Sequence, residues 1–228
     1  MKHQKKQQEV PSIEELVRQL ALSHPLTWLI INIKGGVGKS SLARAAQLIL
    51  DAQIVTNDLC SGPSTQDVIH LDPRQQSLKK VDLSGHPSVV FDLGASYGQF
   101  DPRIAQAVRQ ADVILIPTGI EHSEIEATIQ TYRWLADEGK PMVIVYNQVA
   151  AADHERFAQA LNRVEQAIGQ HSYCVLRKTT LFRRMLLDGA SWSEQVFNER
   201  GLSRLRQPWQ DLCELFHDLT LAYKKEGL

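Results

Sequence analysis

The feature that most constrains the fold is a glycine-rich stretch at Lys34–Ser41, which reads Lys-Gly-Gly-Val-Gly-Lys-Ser-Ser. An apolar run, Leu29–Ile33, leads into it, and an Ala- and Leu-rich segment with helical spacing, Ser40–Leu50, follows it. A strand that enters a glycine-rich turn and leaves as a helix is the setting in which backbone N–H groups cradle phosphate oxygens. The stretch therefore predicts a nucleoside triphosphate site, with ATP and Mg²⁺ as its ligands.

Individual positions of this phosphate loop have separate predicted tasks. The Lys39 ammonium is placed to reach the β- and γ-phosphates, and the Ser40 hydroxyl is placed to ligate Mg²⁺. The alternative is a glycine-rich turn that holds no ligand. The predicted nucleotide-binding set is the whole string: Lys34, Gly35, Gly36, Val37, Gly38, Lys39, Ser40 and Ser41.

Short apolar segments alternate with amphipathic segments along the rest of the chain. The predicted strands are Thr27–Ile33, Ile54–Asp58, Ser88–Asp92, Val113–Pro117, Pro141–Asn147 and Tyr173–Leu176. The predicted helices are Ser40–Leu50, Pro102–Ala111, Glu121–Asp137, Asp153–Ile168 and a last one from about Gln207 to Lys225. This alternation is typical of crossover units. We therefore predict an α/β fold, a P-loop NTPase with a mostly parallel, doubly wound sheet.

The N-terminal region differs from the rest in composition. Residues 1–11 are polar and predict a flexible tail, while Ser12 and Glu15 form a capping-box pattern that predicts a short helix over roughly residues 13–22. The chain has 228 residues, of which 43% are hydrophobic, enough for one large domain with a core. We predict a tail and short helix over residues 1–23 and a single ATPase domain over residues 24–228.

Composition argues against several classes of protein. The net charge is -1, so any contact with nucleic acid must rest on local basic patches. The three cysteines form no Cys-x-x-Cys pair, which argues against a disulfide framework or a zinc site. No apolar run approaches the ~20 residues that cross a bilayer, and no apolar segment follows the basic N-terminus as in a secretory signal. The prediction is a soluble, cytoplasmic protein.

The phosphate loop departs from the ordinary Walker pattern, because Ile33 stands at the first glycine position and Lys34 opens the loop. In this respect it resembles the deviant Walker A motif of the ParA/MinD family, and the similarity runs from about Trp28 to the C-terminus. The resemblance implies that Lys34 reaches across a dimer interface to the ATP of the partner. It thus implies a homodimer that forms when ATP is bound.

Two aspartates match acidic positions of that family. Asp92 ends a strand where Walker B places its acid, which implies a role next to Mg²⁺; a turn or helix-cap aspartate is the alternative. Asp58 matches the first acid of the second-strand motif, which implies a catalytic and metal-linked role. Cys60 stands where the water-activating aspartate would be, and a thiol is no base near neutral pH unless its pKa is depressed. We therefore predict slow, partner-dependent or absent ATP hydrolysis.

Predicted contacts to the adenine come from two later strands. Asn147 ends a strand resembling the one whose asparagine reads the adenine edge, a task that suits the donor and acceptor of an amide; a plain turn residue is the alternative. Leu176 and Arg177 fall in a stretch resembling the family's last strand and the helix after it, whose first residues would wrap the adenine.

The resemblance also implies an output for such a switch. Overall length and the Arg-rich ending are closest to the plasmid-stabilisation and conjugation branch, the StbB- and TraL-like proteins. This implies a role in plasmid maintenance, partition or conjugative transfer, through nonspecific DNA at the nucleoid or a plasmid-encoded DNA-binding adaptor protein. The candidate DNA patch is Arg177, Lys178, Arg183, Arg184, Arg200, Arg204 and Arg206. The alternative is a set of solvated basic residues balanced by nearby acids.

Three rival functions remain open. A small-molecule ligase or kinase on this fold would need an acceptor pocket, which residues 60–80 could supply through Asp67, His70, Asp72 or Arg74. A MinD-like membrane switch would use residues 207–228 as an amphipathic helix. The acidic polar face of that helix favours packing in the core instead. A reductase like the nitrogenase iron protein is disfavoured by the cysteine spacing.

Overall fold

Residues 12–57, 67–72, 78, 88–94, 101–182 and 205–224 are described by the computed structural model of the chain. The strands are β1 (Thr27–Ile30), β2 (Gln53–Thr56), β3 (Val68–His70), β4 (Val89–Asp92), β5 (Val113–Thr118), β6 (Met142–Val149) and β7 (Ser172–Arg177). The helices are α1 (Ile13–Ser23), α2 (Lys39–Leu50), α3 (Pro102–Gln110), α4 (His122–Leu135), α5 (His154–Ile168) and α6 (Arg206–Tyr223). Short 3₁₀ turns lie at Ala136–Glu138 and Ala151–Asp153.

These strands form one sheet in the order β3-β2-β4-β1-β5-β6-β7, and every described pair is parallel. The chain leaves β1 towards β2 on one side of the sheet and leaves β5 towards β6 on the other side. A reversal of this kind opens a crevice at the carboxyl ends of the strands. The predicted α/β fold with its parallel, doubly wound sheet is therefore confirmed, and the crevice falls between β1 and β5.

Helices cover both faces of the sheet. Side chains along each strand point alternately to the two faces, so each strand contributes to both cores. Trp28 and Ile30 of β1 pack in the core that α1, α2 and α6 cover. Leu29, between them, packs in the second core, under α3, α4 and α5. With both faces buried, the central strands read as continuous apolar runs, which is what made them recognisable in the sequence.

The N-terminal helix begins where the capping box predicts. The Ser12 backbone N–H donates to Glu15 Oε2 at 2.7 Å, and the Glu15 N–H donates to Ser12 Oγ at 3.2 Å. Val17 is fully buried, and Trp209 Nε1 of α6 donates to Glu14 Oε2 at 3.3 Å. The short helix is thus docked on α6, and the predicted tail at residues 1–11 lies outside the described residues.

The final helix packs in the core, as its acidic polar face indicated. Trp209, Leu212 and Phe216 are all buried against the sheet and α1. Trp28 of β1 meets the Phe216 ring edge-on, with centroids 5.5 Å apart. Among the described residues, no helix has both the length and the apolar character needed to cross a membrane.

The structure differs from the predicted elements where strands meet the site. β1 ends at Ile30 rather than Ile33, because the chain then turns into the phosphate loop and the Asn32 side chain, instead of the backbone, bonds the Pro117 carbonyl. β6 runs to Val149, with a register shift after Tyr146 and a left-handed Gln148 at φ 61°. β3 was not predicted, since three residues are too short to show a pattern.

Candidate functional site

The phosphate loop adopts a backbone that only glycine takes readily at two positions. Gly36 has φ 81° and Gly38 has φ 97°. A Cβ at Gly38 would collide with Nδ2 of Asn147, which lies at the end of β6. The loop is therefore both left-handed and in close contact with a strand two places away in the sheet.

Helix α2 begins inside this loop, at Lys39. Gly38 is the N-cap, and no described side chain caps the helix there. The first turn of α2 also contains no acidic residue. Such a start concentrates the positive end of the helix dipole and leaves backbone donors for an anion. Ser40 and Ser41 lie half-buried in this first turn.

Lys39 folds back over the loop. Its Nζ donates to the backbone carbonyl oxygen of Lys34 at 2.8 Å. The ammonium thus lies across the loop opening, where a phosphate group in the cradle would meet it. Lys34 is half-buried at the loop entrance, whereas Gly35 and Gly36 are exposed. The residues of the predicted cradle therefore come together around one opening.

Asp92 lies at the carboxyl end of β4, beside the strand that enters the loop. It is 3% exposed and stands opposite Ile30 of β1 and Thr56 of β2 in the parallel register. Just beyond it, the Gly94 N–H donates to Asn57 Oδ1 at 2.8 Å, which ties the ends of β2 and β4 together. The predicted positions Asp58 and Cys60 lie outside the described residues.

Asn147 contacts the loop directly. Its Nδ2 donates to the Val37 carbonyl oxygen at 3.4 Å, a long bond. Its Oδ1 is fully buried and has no hydrogen-bond partner among the described residues. A buried amide oxygen without a donor is unfavourable by about 1–3 kcal/mol. The structure therefore holds a ready acceptor beside the loop.

A cleft of about 250 Å³ opens next to that acceptor. Its lining residues come from the loop, from the ends of β5, β6 and β7 and from the starts of α4 and α5: Gly36, Val37, Gly119, Ile120, Glu121, Glu124, Asn147, Gln148, Asp153, Arg156 and Lys178. Arg156 pairs with Glu121 at 2.5 Å, and this carboxylate raises the pKa of the guanidinium. The Lys178 N–H is anchored to the Val149 carbonyl at 2.9 Å. The cleft is thus polar, with charges of both signs.

Leu176 and Arg177 lie apart from this cleft. Leu176 is buried in the core, and Arg177 Nε donates to Asp211 Oδ2 of α6 at 2.6 Å. Both residues line a separate small hollow of about 10 Å³. The sequence did not predict Lys178 as a cleft residue. Lys178 and its neighbour Arg177 both lie at the end of β7, and only the pairing register of β7 with β6 decides which of the two reaches the cleft.

Much of the predicted DNA patch lies outside the described residues. Arg177, Lys178 and Arg206 are described, all three are exposed, and Arg177 is paired with Asp211. The other four members are Arg183, Arg184, Arg200 and Arg204, and they lie outside the described residues.

The acceptor region of the rival ligase or kinase is described only in part. His70 ends β3, and both of its ring nitrogens are buried and without a partner among the described residues. Arg74 lies outside the described residues.

Neither a family model nor a curated protein matches this chain. Solved structures do share its fold. Apo McdA from Cyanothece has a TM-score of 0.61 at 14% identity, with 84% of this chain and 99% of McdA covered. MinD from Pyrococcus horikoshii OT3, complexed with Mg-ADP, has a TM-score of 0.57 at 15% identity, with 88% and 99% covered.

A putative plasmid partition protein from Borrelia burgdorferi B31, bound to AMPPNP, has a TM-score of 0.54 at 11% identity, with 86% of this chain and 99% of that chain covered. At such identities the likeness establishes the fold. The resemblance to ParA/MinD proteins is therefore confirmed as a shared fold, and the plasmid-stabilisation branch stays a prediction.

Proposed function

We propose that this chain binds ATP with Mg²⁺ and uses the nucleotide as a switch that pairs two copies of the chain. The observation that carries the proposal is the start of α2. Its N-terminus has no side-chain cap from the described residues and follows two left-handed glycines, and Lys39 folds over the opening. This arrangement suits a polyphosphate, and the structural neighbours include complexes with Mg-ADP and AMPPNP.

The residues present fit both ligands. Backbone N–H groups from Gly36 to Lys39 would hold the phosphates, and the Ser40 hydroxyl would ligate Mg²⁺. Asp92, buried at the end of β4, would accept hydrogen bonds from the water ligands of the ion. These are hard oxygen donors, which magnesium prefers. Magnesium would neutralise charge on the phosphate oxygens.

Recognition of adenine is assigned to the Asn147 side-chain amide, whose Oδ1 has no partner among the described residues. Its buried Oδ1 would accept a hydrogen bond from an exocyclic amino group in the adjoining cleft. The same oxygen would face a carbonyl if the base were guanine, which leaves two acceptors opposed. Asn147 thus favours ATP over GTP.

Pairing is assigned to Lys34. It opens the loop at the crevice edge and is half-buried, with its carbonyl held by Lys39. In the paired state its ammonium would contact the ATP of the partner copy. Because this contact exists only in the dimer, ATP shifts the population towards the dimer.

We assign the switch to plasmid maintenance, partition or conjugative transfer, through nonspecific DNA or a plasmid-encoded DNA-binding adaptor. The fold shared with a putative plasmid partition protein supports this assignment. Hydrolysis is slow or stimulated by a partner, because Cys60 replaces the expected aspartate and leaves Asp58 as the acid of that segment. Restoring the carboxylate with Cys60→Asp raises the turnover of ATP in this proposal; turnover unchanged by that substitution would contradict the role given to Cys60.

The test of the proposal is the molecular mass of the purified chain in solution with ADP, ATP and a non-hydrolysable ATP analogue. We expect a monomer with ADP and a dimer with ATP or the analogue. Lys39→Ala should abolish nucleotide binding, and Lys34→Ala should bind ATP but remain monomeric. Lys224→Ala, at an exposed lysine after α6, is the matched control and should behave as the wild type. A dimer that forms without nucleotide and turns over ATP only with a small acceptor would support the ligase or kinase instead.

A further inference from the structure

Asn32 is a polar side chain with no exposure to solvent, placed between β1 and the phosphate loop. Its Nδ2 donates to the Pro117 carbonyl of β5 at 3.0 Å and to the Thr128 hydroxyl of α4 at 2.9 Å. Its Oδ1 accepts from the backbone N–H of Lys34 at 2.8 Å. Both protons and the oxygen of this amide are therefore in use, and they join a strand, a helix and the loop.

Two threonines on α4 complete this network. Thr128 and Thr131 are fully buried, and each hydroxyl donates its one proton at 2.8 Å to the carbonyl four residues earlier in α4. The oxygens therefore act towards the loop as acceptors. Thr128 accepts from Asn32, as above, and Thr131 accepts from the Ile33 N–H at 3.2 Å. The Thr131 hydroxyl also lies 3.5 Å from Asn32 Oδ1, a longer alternative for its proton than the Ala127 carbonyl.

The network ends on the backbone of the residue that opens the loop. The N–H of Lys34 is held by Asn32, and the carbonyl of Lys34 is held by the Lys39 ammonium at 2.8 Å. The peptide groups on both sides of the Lys34 Cα are thus fixed. Fixing both peptide groups fixes the direction in which the Lys34 side chain leaves the loop.

The same helix also walls the cleft. Glu121 caps the start of α4, and both it and Glu124 line the cleft beside Gly36. One helix therefore contacts the cleft with its first turn and, from its second and third turns, holds Asn32 and Ile33, which lead into Lys34. Asn32, Thr128 and Thr131 are buried polar groups, which are unfavourable unless hydrogen-bonded, and their bonds here run to the chain that leads into the loop.

We infer that Asn32, with Thr128 and Thr131, is a positioning element that couples helix α4 to Lys34. A ligand or partner that shifts the first turn of α4 changes the aim of Lys34 through these three side chains. The inference rests on the proposed pairing function, because the direction of the Lys34 side chain affects function only if Lys34 contacts the partner copy. None of the three side chains needs to touch the nucleotide.

The experiment removes the hydroxyls without changing side-chain shape. In Thr128→Val and Thr131→Val we expect nucleotide affinity close to that of the wild type and ATP-dependent pairing weakened about tenfold, the effect of one buried hydrogen bond. Thr220→Val is the matched control, since Thr220 is equally buried and also donates to the carbonyl four residues earlier, but on α6. It should leave pairing unchanged.

Combination with Lys34→Ala separates positioning from general damage. If the threonines act through Lys34, Thr128→Val adds nothing to the pairing defect of Lys34→Ala, measured as the residual association at high protein concentration with saturating ATP. Additive defects, pairing like the wild type, or equal losses of nucleotide affinity and pairing would overturn the inference.

A second readout does not need pairing at all. Amide hydrogen exchange on the nucleotide-free chain should rise at Ile33 in Thr131→Val and at Lys34 in Asn32→Ala, because their acceptors are gone, while Thr220→Val leaves both unchanged. If the wild type never pairs with ATP, the proposed function fails, but unchanged exchange in these variants is what would refute the network. The two failures are thereby distinct.

Discussion

The carboxyl ends of β1 and β7 lie on the same edge of one sheet and were both predicted to contact nucleotide, yet they are built differently. At the end of β1, buried side chains hold the backbone of the loop by hydrogen bonds, with Asn32 at the centre. At the end of β7, the exposed Arg177 is held by one ion pair to Asp211. A surface ion pair contributes about 0–1 kcal/mol, whereas a broken buried bond costs about 1–3 kcal/mol. The β1 end is therefore fixed by buried side chains, whereas at the β7 end the backbone is held by the Lys178–Val149 bond and the Arg177 side chain is adjustable.

The largest effect should come from Gly38→Ala, which changes the phosphate loop at the fixed end of β1. A methyl group there meets left-handed strain of about 1–2 kcal/mol and a collision with Asn147, for a total of about 3 kcal/mol or more. We expect a clear loss of stability in chemical denaturation and no measurable ATP binding. Gly139→Ala is the control, since Gly139 is also left-handed at φ 63° but has nothing within 4 Å of the added methyl. Equal losses in the two variants would show that the contact with β6 does not matter.

Asn147→Ala should separate binding from stability at the same end. The substitution removes an oxygen without a partner among the described residues, which is stabilising, and also the 3.4 Å bond to Val37 and buried packing, which is destabilising. The two effects oppose each other, so the net change in stability should be less than about 1 kcal/mol. ATP affinity should fall about tenfold, and the preference over GTP should disappear. Fluorescent nucleotide titrations would measure both, with the exposed Asn162→Ala as control. Retained discrimination between ATP and GTP would remove Asn147 from base recognition.

A smaller effect is expected from the adjustable end. Lys178 lines the cleft, whereas its neighbour Arg177 lines the separate hollow with Asp211. Lys178→Ala should therefore weaken ATP binding several-fold, with salt-dependent size. Arg177→Ala should change it less than about twofold and lower stability by less than about 1 kcal/mol. The reverse order would support Arg177, which the sequence predicts, as the nucleotide contact instead of Lys178.

The contrast also explains what the sequence could predict. The phosphate loop is contiguous, so its residues were found together, and the apolar strands gave the fold because both faces of the sheet are buried. Asn32 was overlooked because one asparagine in an apolar run has no periodic signal. Its partners lie 96 residues away at Thr128 and 85 away at Pro117, separations that no local pattern encodes. At β7 the sequence does not show which of Arg177 and Lys178 lines the cleft, because one residue of register exchanges the faces of a strand.

The smallest effect tests whether helix α6 stays packed on β7 or separates from it in the folded chain. Burial raises the pKa of Cys174 on β7 and of Cys213 on α6 to about 12 each. A raised thiol pKa keeps the proton on, so at about pH 8 each of these two thiols is ionised in only about one molecule in ten thousand. The chain has three cysteines, so no more than one thiol per folded chain should react quickly with a disulfide reagent. In Cys60→Ser, the fast phase should vanish until denaturant is added. Rapid reaction of two thiols in that folded variant would mean that α6 separates from β7, and the adjustable part would then include the helix and not the Arg177 side chain alone.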